Sequence, residues 1–217
     1  MTNNNNTASV QEQNPPLTET KVRDNSPKSL LPYILAMAGL FLISLVVGLR
    51  VSPEFASGTL DELKLSLKPI MESLNPFVLF IIIFLNNTIK ALGAIVLGLI
   101  LGLPPIFFIG ANGFIIGVTI TALKSSMGYG VIAASLAPHG VIEIPLLLLS
   151  ASLGLRVGWE SLKYLTRQKS SVRAQLRHGM RIYLKWIVAG LFVAAIIEVF
   201  ITPLFILLIG GKELFMK

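Results

Sequence analysis

Residues 30–49, LLPYILAMAGLFLISLVVGL, run for twenty positions without one charge. That is the length a helix needs to cross the hydrocarbon of a bilayer. Four more apolar stretches follow, at about 77–103, 106–123, 130–155 and 186–209, and the Pro104-Pro105 pair is expected to turn the chain between the second and the third span. Lipid offers no partner to a backbone N–H or C=O, so each stretch must satisfy its own hydrogen bonds, which a helix does. The predicted fold class is therefore all-α: a polytopic transmembrane helix bundle of about five spans occupying residues 29–211. The composition agrees, because only 13% of the chain is charged where soluble domains carry about a quarter. Spans two and four hold polar residues at their centres, so each is either continuous or a pair of re-entrant pieces.

Outside the spans the chain changes character. Residues 1–28 are polar and rich in Asn, Pro and Thr. They cannot bury enough apolar surface to offset the entropy of ordering, and so read as a disordered tail. They lack the basic and apolar regions of a signal peptide. Between spans one and two, residues 60–74 place Leu60, Leu63, Leu67, Ile70 and Leu74 at helical spacing with charges opposite. This predicts an amphipathic helix on the membrane surface. The alternation over 63–67 leaves a strand open, and Pro69 weakens the helix.

The basic residues set the expected orientation. Lys21, Arg23 and Lys28 lie in the tail, and Arg156, Lys163, Arg167, Lys169, Arg173, Arg177, Arg181 and Lys185 lie in a predicted loop over 156–185 that holds one acid, Glu160. Together these are eleven of the 18 Lys and Arg residues, and five spans bring both segments to one side. The positive-inside rule makes that side cytoplasmic and puts the C-terminus outside the cell membrane. Arg173, Arg177, Arg181 and Lys185 repeat every fourth residue, which suits anionic lipid headgroups. No aromatic residues interleave them at stacking spacing, so nucleic acid is not an expected partner.

Polar groups collect near the middle of four spans. Asn86, Asn87 and Lys90 are central in span two, Asn112 in span three, His139 and Glu143 in span four, and Glu198 in span five. A charge at the bilayer centre costs at least about 2.5–3.5 kcal/mol, so these residues are expected to meet in a shared interior cluster. In that cluster Lys90 would neutralise Glu143 or Glu198. Pro138 and Pro145 would free the carbonyls of Ala134 and Val141. The cluster reads either as polar glue that fixes helix register or as a site for an ion, a proton or a small ligand. Catalysis is the weakest of the readings, and a metal role has little behind it although a His-x-x-x-Glu pair can bind a metal. The chain has no cysteine, its other histidine (His178) falls in the basic loop, and one histidine with two dispersed glutamates is a poor zinc set. No Gly-x-Ser-x-Gly or HExxH motif is present, and no cofactor is expected. Gly98-x-x-x-Gly102, Gly113-x-x-x-Gly117 and Gly154-x-x-x-Gly158 mark close helix packing, within one subunit or against a second copy.

The run of 83-IFLNN-87, 98-GLILGLP-104, 112-NGFIIG-117, 138-PHGVIE-143 and 154-GLRVG-158 resembles the stage II sporulation protein M family of integral membrane proteins over roughly residues 30–210. The PHG-x-x-E form looks like the branch found in archaea and in bacteria that do not sporulate. The resemblance implies a polytopic scaffold, with Asn86, Asn87, Asn112, His139 and Glu143 at matched positions. Spore-former members are similar to a membrane anchor that recruits cell-wall hydrolases without being a hydrolase. A non-enzymatic scaffold or assembly component is therefore the expected function. A transporter or channel using the polar cluster is the alternative, and an intramembrane hydrolase a weaker one.

Overall fold

In a computed structural model, residues 30–73, 75–124 and 129–210 are described; the tail at 1–28 and the C-terminal residues from 211 lie outside them. No strand occurs among the described residues. Five helical stretches are long and apolar enough to cross a membrane: Leu31–Leu49, Pro76–Leu99, Leu103–Leu123, Gly140–Leu165 and Val172–Leu208. The chain is an all-α, multi-pass bundle, as its hydropathy predicts.

Local sequence explains most helix ends. Helix α1 (Leu31–Leu49) starts with a proline in its first turn, where the missing N–H would lack a partner anyway. Helix α2 (Pro53–Ser73) begins the same way. Its backbone is helical through Pro69, so the alternating letters at 63–67 do not make a strand. Helix α3 (Pro76–Val96) is capped by Asn75, whose Oδ1 accepts from the N–H of Phe77 at 2.7 Å and of Val78 at 3.2 Å. Span two then ends in a 3₁₀ turn, Leu97–Leu99. The reversal into helix α4 (Leu103–Leu123) is made by Leu101 (φ 53°) and Gly102 (φ 77°), both left-handed. Pro104 and Pro105, expected to turn the chain, instead sit in the first turn of α4. Their fixed φ is already helical there.

Helix α5 (Tyr129–Leu165) holds both internal prolines yet stays continuous, and it continues ten residues beyond the expected end at 155. Residues 166–171 link it to α6 (Val172–Ile182). The segment expected as a basic loop is therefore mostly helix. From α6 the rod continues through a π turn (Tyr183–Ile187), α7 (Val188–Ile196), a second π turn (Ile197–Ile201) and α8 (Thr202–Gly210). Pro203 cannot donate to the carbonyl of Val199, and the ladder widens just before it. The Thr202 hydroxyl bonds the carbonyl of Ile197 at 3.1 Å.

Helix α5 lies at the centre of the bundle, and glycines set how closely its neighbours approach. A Cβ on Gly98 would fall on the carbonyl O of Gly154, one on Gly154 on the carbonyl O of Ala94, and one on Gly158 on the N of Gly102. A Cβ on Gly117 would fall on the carbonyl O of Leu45, and one on Gly113 on that of Phe41, so α4 meets α1 equally closely. All three Gly-x-x-x-Gly motifs thus pack within the chain. The spaces between backbones are filled by three apolar groups. Ala91, Ile95, Leu153, Ile187 and Leu191 join α3, α5 and the last rod. Met37, Phe41, Ile109 and Ala151 join α1, α4 and α5. Ala56 of α2 packs on Val118 and Ala122, which anchors the start of that surface-type helix to α4.

Candidate functional site

A cavity of about 240 Å³ lies between α1, α3, α4, α5 and the second π turn. That is room for a handful of waters or one small ion. Its polar lining is Asn86 and Asn87 of α3, Asn112 of α4, Glu143 of α5 and Glu198 of the π turn. Five of the seven residues expected in the cluster therefore line this one cavity. Their walls are apolar, with Phe41, Ile83, Ile109 and Ile144 among them. The side chain of His139 lies outside the described residues.

Each polar group reaches the cavity for a local reason. Asn87 is buried, and its Oδ1 accepts from Asn86 Nδ2 at 3.4 Å. Asn112 Nδ2 donates to the Phe108 carbonyl of its own helix at 2.7 Å. Asn112 can thus offer the cavity its carbonyl oxygen and its second N–H. Glu198 belongs to the π turn, Ile197–Ile201. Such bulges re-aim side chains and are frequent at functional sites.

Lys90 is the correction. It is exposed on α3 and does not line the cavity. Depth along a span follows from counting residues, but facing depends on the 100° that each residue adds around the helix. Ala91 and Ala94 point inward. Lys90 falls instead on the flank of Asn86, one turn away, beside exposed Ile82, Leu85 and Ile89. The expected neutralisation of Glu143 or Glu198 by Lys90 does not occur among the described contacts.

Sequence reasoning missed a second polar constellation. Glu160 is buried near the end of α5 and accepts from Lys163 Nζ at 2.8 Å, Ser171 N at 2.7 Å and Ser171 Oγ at 3.1 Å. The signal was present: Glu160 is the one acid in a segment of eight basic residues. Elsewhere, the Tyr183 hydroxyl donates to the carbonyl of Thr88 at 3.2 Å and ties the last rod to α3.

The model described as stage II sporulation protein M matches residues 33–203, which include every residue lining the cavity. An uncharacterized protein of the archaeon Methanocaldococcus jannaschii is 30% identical over 123 residues, 55% of this chain and 68% of that relative. No solved structure matches.

Proposed function

This chain belongs to the stage II sporulation protein M family, and we propose that it serves as a non-enzymatic membrane scaffold holding another membrane protein against the outer face of α3. The observation that carries this reading is the exposure of Lys90 near mid-span, among exposed Ile82, Leu85 and Ile89. A cation facing hydrocarbon at that depth costs about 2.5–3.5 kcal/mol or more. A neighbouring helix with a carboxylate at the same level would remove most of that penalty. A second copy is a poor candidate, since a two-fold axis along the membrane normal brings Lys90 against its own copy.

The test is co-purification from the host's own membranes. Wild type should carry a stoichiometric partner, Lys90→Met should lose it by at least about tenfold, and Lys90→Arg should keep it. Melting of the solubilised chain should stay within about 0.5 kcal/mol of wild type for both, as for surface substitutions. Equal partner retention by Lys90→Met, or a melt lowered as for a broken buried pair, sinks the scaffold reading.

The cavity favours a second reading, a cation or proton site used in transport. Two carboxylates and three amides line it, and Lys90 stands outside. In the same purification, a partner-free chain whose melting point rises with one alkali cation and not with others would favour this reading.

We further infer that the basic end of the bundle is cytoplasmic. Leu30 packs in one group with Leu153 and Tyr183, so the start of α1 shares that end with the basic helices. Single cysteines check it, because the chain has none. An impermeant thiol reagent applied outside should label Ser57→Cys and Phe215→Cys and miss Ser170→Cys. Outside labelling at Ser170→Cys reverses the orientation.

A further inference from the structure

The end of α5 and the start of α6 enclose a groove of about 870 Å³ whose lining combines apolar and cationic side chains. Leu99, Leu165 and Leu176 supply its apolar lining, and Leu99 and Leu165 are themselves exposed. Arg173 and Arg177, one turn apart on α6, line it as well, with Tyr164. None of the described lining residues is acidic. Glu160 lies close by, but its carboxylate is already engaged by Lys163 and Ser171. That bonding fixes the α5–α6 corner, so the groove is preformed and its positive charge uncompensated.

We propose that this groove is a site for one anionic phospholipid, its phosphate held by Arg173 and Arg177 and an acyl chain laid over Leu99 and Leu165. Two guanidiniums a turn apart present several N–H donors to a phosphate, which Lys could match only as a point charge. Basic pockets at the interface between membrane helices recruit anionic headgroups in this way. A zwitterionic lipid brings its own cation toward the arginines and binds less well. A free phosphate gains nothing from the apolar lining. The site is independent of the polar cavity and of the α3 face, and it turns the general affinity of a basic segment for headgroups into one place of defined stoichiometry.

Native mass spectrometry of the full chain in neutral detergent tests it, with phosphatidylglycerol, phosphatidylcholine or inorganic phosphate added. One phosphatidylglycerol per chain should be retained, with phosphatidylcholine at least about tenfold weaker. Arg173→Gln combined with Arg177→Gln should weaken phosphatidylglycerol by about 30-fold, the sum of two headgroup charges. Arg167→Gln with Lys169→Gln removes two exposed charges outside the groove and should change binding less than twofold. Leu165→Asn, which keeps every charge, should weaken the lipid as well. Equal loss in the two double variants means diffuse surface charge and overturns the site. Equal retention of both lipids, or phosphate bound as tightly as phosphatidylglycerol, overturns the lipid assignment.

Discussion

Gly154→Val should fail to yield a monodisperse, folded bundle, while Gly39→Ala should melt with wild type. A Cβ on Gly154 falls on the carbonyl O of Ala94 and lies 3.3 Å from Pro105 Cγ, whereas one on Gly39 meets nothing within 4 Å. The nearest obstacle is backbone, so no rotamer change relieves it. Helices α3 and α5 would have to separate, losing dispersion contacts along the whole Gly98–Gly102 and Gly154–Gly158 seam. Overpacking a well-filled interface costs about 1–3 kcal/mol and at times more, and backbone opposition puts Gly154→Val at or above the top of that range. Gly154→Ala should show a smaller loss of the same sign. Thermal melts and size-exclusion profiles in one detergent read the series. If Gly154→Ala and Gly39→Ala melt together, α3 and α5 do not touch as described.

The glycine seams show what a sequence of this kind discloses. Spacing marked all three Gly-x-x-x-Gly faces, because small residues one turn apart are visible without knowing a partner. What they pack against was not visible, since α1 and α4 or α3 and α5 meet only once the chain has turned. Depth was legible by counting, and Asn86, Asn87, Asn112, Glu143 and Glu198 do reach one cavity. Facing was not: Lys90 has the right depth and the wrong azimuth, which depends on how α3 is rotated by packing at Ala91 and Ala94. Pro104 and Pro105 misled for a related reason. Proline disfavours helix interiors but suits first turns, and the letters alone do not say on which side the turn lies.

Glu160 offers the second large effect, and it lies in a segment that sequence alone rendered as charge bookkeeping. The residue is only 6% exposed, and its carboxylate accepts from Lys163, the backbone N–H of Ser171 and the Ser171 hydroxyl. The two bonds to Ser171 join the last turns of α5 to the residue that precedes α6, eleven positions along the chain, and the bond from Lys163 holds the carboxylate from within α5. Glu160→Ala leaves a backbone donor and an ammonium without their acceptor. Removing one partner of a buried pair costs about 3–5 kcal/mol, and partial exposure of Lys163, 20% at its side chain, places the expected loss near the lower bound. Glu160→Gln keeps the volume but turns an NH₂ toward one of the donors, so about 2 kcal/mol is expected, in the range for hydrogen bonds to a charged group. Lys163→Met should cost less than either, because the carboxylate keeps both bonds to Ser171. The double-mutant cycle between Glu160→Gln and Lys163→Met should show coupling above about 0.5 kcal/mol. Proteolysis reads the same latch locally, since residues 166–171 should become cleavable in Glu160→Ala before the spans unfold. Wild-type melting and cleavage in both Glu160 variants would mean that the corner is held by the apolar contacts of α5 with α6, and that the carboxylate is incidental to it.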